Sequence, residues 1–199
     1  MTYRRIGLDL DHTLIDYSGA IEVLARTRGL NFTSKSRVKT YYQQSEHGDV
    51  GWQEFQAQLY SEGLQYASLM PGVESFLKRV STSGIDVFII SHKTEYAPRG
   101  NQQISLREVS TAFLKHHDLI PYLVPPERLF YAATREEKVQ QVSSLRLDVF
   151  VDDLPEVLAH PLMPKQVWKV LIDPEGAHMQ APFHRVVDFA DLESLVFRD

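Results

Sequence analysis

The chain has no cysteine among its 199 residues. That excludes a disulfide framework, a thiolate nucleophile and any cysteine-ligated metal. It fits a reducing compartment, and a cytoplasmic location is the expectation. Positive charge is also short, with 21 Lys and Arg against 26 Asp and Glu and a formal net charge of −5. A whole-molecule electrostatic grip on nucleic acid is therefore not expected. No apolar run approaches the roughly 18 residues of a membrane-spanning helix, so a membrane is not an expected partner either. The opening stretch carries Arg4 and Arg5, but Asp9 and Asp11 interrupt it too early for a signal peptide. Internal repeats and low-complexity tracts are missing too. The rest is ordinary globular composition, 43% hydrophobic and 24% charged. The length suits one domain with a sizeable insertion.

Five short apolar runs give the chain its organisation: Ile6 to Leu8, Ile85 to Ile90, Leu129 to Tyr131, Val149 to Val151 and Val167 to Ile172. The longer ones barely alternate, as strands covered on both faces do. Helical spacing lies between them, at Val73, Phe76, Leu77 and Val80, at Leu106, Val109 and Phe113, and at Val139, Val142 and Leu145. Strands alternating with helices predict an α/β fold with a doubly wound parallel sheet. One segment breaks the rhythm. Between Asp16 and Met70 no strand pattern stands out, while Ile21, Leu24 and Ala25, then Trp52, Phe55 and Leu59, have helical spacing. The expected division is a core of residues 1–15 and 71–199 and a small helical insertion of residues 16–70. The insertion either lids the sheet edge or packs on one sheet face.

In an open parallel sheet, ligands bind beyond the carboxyl ends of the strands. The first run is followed by Asp9, Asp11, His12 and Thr13, the second by Ser91, His92 and Lys93, and the fourth by Asp152 and Asp153. Residues i and i+2 on a strand point the same way, about 7 Å apart. Two carboxylates so placed repel unless a cation or a proton sits between them. Each acid alone reads equally well as a helix cap or a surface charge. Together, Asp9, Asp11, Asp152 and Asp153 offer all-oxygen ligation with no thiolate and no histidine cluster, which suits a hard cation, Mg²⁺ first. Ser91 closes a buried strand, where serine is commonly a turn residue. Opposite such a metal site it becomes a candidate phosphate-binding hydroxyl. Lys138 stands near the start of a helix that Thr134 and Glu137 open as a capping box.

The order Ile-Gly-Leu-Asp9-Leu-Asp11-His-Thr13, then Ile-Ile-Ser91, then Lys138, then Val-Phe-Val-Asp152-Asp153 resembles the four motifs of the haloacid dehalogenase superfamily. The resemblance implies a Rossmann-like core, a cap inserted between motifs one and two, and Mg²⁺-dependent phosphoryl transfer. On its terms Asp9 is the nucleophile that forms an aspartyl-phosphate, and Asp11 is the general acid and then the general base. Mg²⁺ is held by the Asp9 carboxylate, the Asp11 carbonyl oxygen and Asp153, with Asp152 helping through a water. Ser91 and Lys138, with Thr13 and His92 beside them, bind phosphate. Asp11 favours a phosphatase or phosphomutase, because dehalogenase members lack that acid and pump-like ATPases carry Thr there. The chain departs from the common DxDGT pattern at His12, and from the usual fourth motif at Glu156. Lys93 competes with Lys138 for the phosphate-binding role.

The expected substrate is a small phosphomonoester. A phosphomutase or phosphotransferase is the alternative, and a binding protein that keeps the fold is another. A phospho-acceptor receiver domain fits less well, since its acidic pair and its phosphorylated aspartate lie on separate strands. Arg26, Arg28, Lys35, Arg37 and Lys39 have no acid between them. They form either a solvated helix face or a site for a second anionic group of the substrate. Tyr41, Tyr42, Trp52, Tyr60 and Tyr66 are core or pocket. His12, Lys93 and Arg99 are candidate substrate contacts, Arg99 because its loop directly follows Ser91.

Overall fold

The computed structural model describes residues 3–197. The first apolar run forms β1 (Arg5–Leu8). A turn through Asp11 to Thr13 leads into β2 (Ile15–Asp16) and then into three helices, α1 (Ser18–Arg26), α2 (Lys35–Gln44) and α3 (Gly48–Leu59). A 3₁₀ turn at Glu62–Tyr66 leads to β3 (Ser68–Leu69), which pairs antiparallel with β2. The rest of the chain alternates: α4 (Val73–Thr82), β4 (Asp86–His92), α5 (Leu106–His116), β5 (Leu129–Ala132), α6 (Arg135–Ser144), β6 (Val149–Asp152), α7 (Pro155–Leu158), β7 (Trp168–Ile172), β8 (His184–Val186) and α8 (Phe189–Val196).

Six strands form one parallel sheet in the order β5-β4-β1-β6-β7-β8. From β1 the chain builds outward to one side through β4 and β5. It then returns to build the other side through β6, β7 and β8. β1 therefore lies at the switch point of a doubly wound sheet, where ligands bind.

Alternation along the strands decides the layers. Ile6, Leu8, Val87, Ile89, Val149, Val151, Val170 and Ile172 pack in one core with Phe76, Leu77, Phe113, Phe189 and Leu192 of the helices, and with Ile21, Phe55 and Leu59 of the insertion. Phe88, Ile90, Phe150 and Leu171 pack on the other side with Val139, Val142, Val157 and Leu158. Each such buried side chain contributes roughly 1.5–3 kcal/mol. An exposed pair such as Glu74 with Lys78 contributes about 0–1 kcal/mol. The two apolar layers, rather than the surface ion pairs, hold the sheet.

The expected strands and the three core helices are present with boundaries shifted by a residue or two. Three strands differ from the expectation. The two-residue β2 and β3 frame the insertion, and β8 extends the sheet past the fifth apolar run. Strands of two or three residues are too short to show a period. Among the described residues no helix is long and apolar enough to cross a membrane.

Candidate active site

Asp9 follows β1 directly, and its main-chain N–H donates to the Val151 carbonyl of β6 at 2.9 Å. The carboxylate is thereby fixed between the two central strands, 5% exposed. Lys138 sits one turn into α6 and is buried. The helix is started by Thr134, whose hydroxyl accepts from the Glu137 N–H at 3.1 Å, while Glu137 accepts from the Ala133 N–H at 2.7 Å. From there the Lys138 ammonium donates to Asp9 Oδ1 at 2.5 Å and to Asp152 Oδ2 at 2.6 Å. Asp152 Oδ1 accepts from the Leu154 N–H at 3.0 Å, so both its oxygens are engaged within the protein.

Two further pairs complete the cluster. Asp153 accepts from Lys35 of α2 at 3.0 Å. Asp11 accepts from Lys93 at 2.8 and 3.0 Å, and from the Tyr17 hydroxyl at 2.6 Å. Four carboxylates thus face three lysines, one from the helix after β5, one from the loop after β4 and one from the insertion. Tyr17, Tyr60 and His12 pack against one another beside Asp11, with ring centroids 4.9 to 6.0 Å apart. His12 has φ +62°, the left-handed region that favours glycine. Its side chain is put to use there, because Nε2 and the Tyr60 hydroxyl bond one another at 3.1 Å.

Electrostatics follow from this burial. Desolvation is the largest influence on Asp9. With Asp152, Asp153 and Asp11 around it, it pushes the carboxyl up to about 8 against the pull of Lys138. Burial also raises Asp153, opposed by Lys35. For Lys138 burial works downward, but Asp152 and Asp9 outweigh it and hold the ammonium above its ordinary range. Lys35 is raised in the same way by Tyr60, Asp153 and Asp11. Burial, with Lys35 and Lys93 beside it, holds His12 well below its ordinary range, so its ring is neutral. Desolvation and Asp11 hold the Tyr17 hydroxyl protonated, as a donor.

One oxygen each of Asp9, Asp152 and Asp153 lies within 4.8 Å of the others. This hard-oxygen set, holding a carboxyl raised by burial and by its acidic neighbours, fits a divalent cation such as Mg²⁺. Asp153, bonded only to Lys35 among the described residues, is the more available direct ligand.

Solved structures share this fold. The chain is similar to a haloacid dehalogenase-like hydrolase from Streptococcus pneumoniae, with 14% identity, a TM-score of 0.64 and 99% of each chain covered. It is similar to a predicted phosphatase from Clostridium acetobutylicum, with 13% identity, a TM-score of 0.62 and 98% and 99% covered. A Had-superfamily hydrolase from Ehrlichia chaffeensis matches with 13% identity, a TM-score of 0.54 and 98% and 97% covered. The chain has the haloacid dehalogenase fold. No family model matches the sequence, and no curated protein matches it.

Within that fold the structure brings together Asp9, Asp11, His12, Lys93, Lys138, Asp152 and Asp153. Ser91 is buried at the end of β4, level with Tyr131 of β5. Thr13 is fully buried, and its hydroxyl has no partner among the described residues. His92 turns outward to the Ala133 carbonyl at 3.2 Å. Arg99 is exposed and bonds Gln53 of α3 at 2.9 Å, away from the carboxylates. Of the insertion's basic run, Arg26 pairs with Glu22 and Arg28 with Gln58, and only Lys35 reaches the site. Tyr42 and Trp52 are insertion core, Tyr41 and Tyr66 are exposed, and Tyr60 lines the site. The sequence reading missed Tyr17. Its one available signal was its place six residues after Asp11.

Proposed function

We propose that the protein is a Mg²⁺-dependent phosphatase that hydrolyses a small phosphomonoester through an aspartyl-phosphate on Asp9. The observation that carries this reading is the buried Asp9 carboxylate at the end of β1, held at 2.5 Å by Lys138 with Asp11 two residues on. A buried nucleophilic carboxylate beside a fixed cation and a second acid is what phosphoryl transfer through a covalent intermediate needs. The resemblance of the motifs and the shared fold support it further.

An Asp9 oxygen attacks phosphorus in line with the ester oxygen, and the bond from phosphorus to that oxygen breaks. Asp11 gives its proton to the departing oxygen. Asp11 then takes a proton from water as the water oxygen attacks the phosphorus, and the bond from phosphorus to Asp9 breaks. Inorganic phosphate leaves and Asp9 is restored. Lys138 stays beside the transferring oxygens and balances their charge, with the buried Ser91 hydroxyl at the neighbouring strand end. Tyr17 fixes the rotamer of Asp11. Asp9, Asp153 and the Asp11 carbonyl, with Asp152 alongside, would hold Mg²⁺, which would supply further charge neutralisation on the phosphoryl oxygens. Residues 16–70 act as the cap that shields the site from bulk water.

The test is phosphate release from an aryl phosphate and a panel of small phosphate esters, with and without Mg²⁺. The expected result is Mg²⁺-dependent release that Asp9→Asn abolishes. Release that persists in Asp9→Asn overturns the assignment of the nucleophile. A phosphorylated Asp9 that water does not turn over points instead to a phosphotransferase.

A further inference from the structure

Under the reading above, Lys138 is the lysine of phosphoryl transfer. Two other lysines bond the remaining two carboxylates of the cluster, from distant parts of the chain. Lys93 follows β4, its side chain is 2% exposed, and it bonds Asp11. Lys35 opens α2, its side chain is 24% exposed, and it bonds Asp153. Tyr60 lies between the two, with the Lys93 ammonium 5.1 Å from its ring centroid and its hydroxyl on His12.

We propose that Lys35 and Lys93 form an anion subsite that selects phosphomonoesters carrying a second anionic group, a carboxylate or another phosphate, a few bonds from the ester oxygen. The proposal deepens the phosphatase reading and rests on it.

Three observations carry it. The first is hydrogen-bonding capacity. An ammonium has three donors, and among the described residues the Lys35 Nζ donates only to Asp153 Oδ2. The second is positioning. The start of α2 is tied to the core, because the Ser34 and Ser36 hydroxyls donate to Glu175 Oε2 at 2.6 and 3.0 Å. Lys35 is therefore held over the strand ends, while the other cations of its run are spent on the insertion itself or are exposed. The third is the wall between the two lysines. It is made of the packed rings of His12, Tyr17 and Tyr60, so an arriving anion meets the two ammonium groups, each already paired with one carboxylate, beside polar rings. In so shielded a place an ion pair gains more than at a surface. Lys93 rests on Asp11, the acid beside the departing oxygen, so the second charge belongs close to that oxygen and the substrate is short.

The experiment compares three-carbon alkyl phosphates that end in a methyl, a carboxylate or a second phosphate, using the full chain with Mg²⁺. The expected parent prefers the charged esters over the methyl ester at least tenfold in kcat/KM, and the two charged arms show which anion fits. Lys35→Met is expected to lower that ratio about tenfold, mainly through KM, and Lys35→Arg to retain it. A parent ratio near one overturns the subsite, as does a Lys35→Met variant that slows all three esters equally. Failure of the parent to release phosphate from any ester counts against the phosphatase reading instead. The subsite is then read by calorimetric titration with an unhydrolysable phosphonocarboxylate. Binding to the parent that weakens tenfold in Lys35→Met supports it, and equal binding to both overturns it.

Discussion

At the residue scale, Lys138 has the most to lose. It is the shared partner of two buried carboxylates, and its removal leaves both uncompensated. Breaking a buried pair from one side costs about 3–5 kcal/mol. Lys138→Met should lose stability of that order in urea unfolding, and a loss below about 1 kcal/mol would mean the carboxylates find other partners. Tyr17 works differently, since it holds Asp11 at 2.6 Å without touching the reacting atoms. A hydrogen bond of this kind is worth about 0.5–1.5 kcal/mol net. Tyr17→Phe keeps the packing ring and loses that bond. Its expected signature is a kcat at least fivefold lower with KM little changed, and a fall confined to KM would place Tyr17 in substrate binding instead. The pair Asp9 and Asp11 was visible in the sequence because two acids after an apolar run need a reason. Lys35 as a partner of Asp153 was not, since 118 residues separate them and only the fold joins them.

At the element scale, two local features hold the functional side chains in place. Thr134 caps α6 and so sets where Lys138 emerges. Thr134→Ala should cost about 1 kcal/mol in chemical denaturation, and no loss would show that Glu137 alone starts the helix. In β1, Gly7 has no room for a side chain, because a Cβ there would meet Leu147 Cδ1 at 2.3 Å and a Phe150 ring atom at 2.9 Å. Gly7→Ala must move a packed leucine and the Phe150 ring, at an expected cost of about 1–3 kcal/mol in the same assay. Core strands and helices were legible because both faces of the sheet are covered and long elements show their period. The capping box was legible for the same local reason. The helix α2 was not individually legible, because it buries only Val38 and Tyr42 and is otherwise polar. Nor were β2, β3 and β8, whose existence depends on partners distant in the chain.

At the scale of the whole molecule, the proposed metal site would link folding to metal binding at the carboxylate cluster. A cation that binds only the folded state stabilises it by mass action. At tenfold excess over its dissociation constant, Mg²⁺ should add about 1.4 kcal/mol, seen as a higher melting temperature. Asp153→Asn should abolish most of that increment, and an unchanged increment would place the ion elsewhere. The antiparallel pair of β2 and β3 has a consequence of another kind. Ile15 lies opposite Leu69, and the Met70 N–H donates to the Leu14 carbonyl at 2.9 Å. The segment that carries Tyr17, Lys35 and Tyr60 therefore leaves the sheet and rejoins it at nearly the same point. A detour whose ends already touch asks little of the chain it interrupts, since each doubling of its length adds only about 0.6 kcal/mol of closure entropy. Under the proposed reading, the chemistry at the strand ends and the segment that would choose its substrate can thus change length and sequence independently, like a tool and its exchangeable jaw.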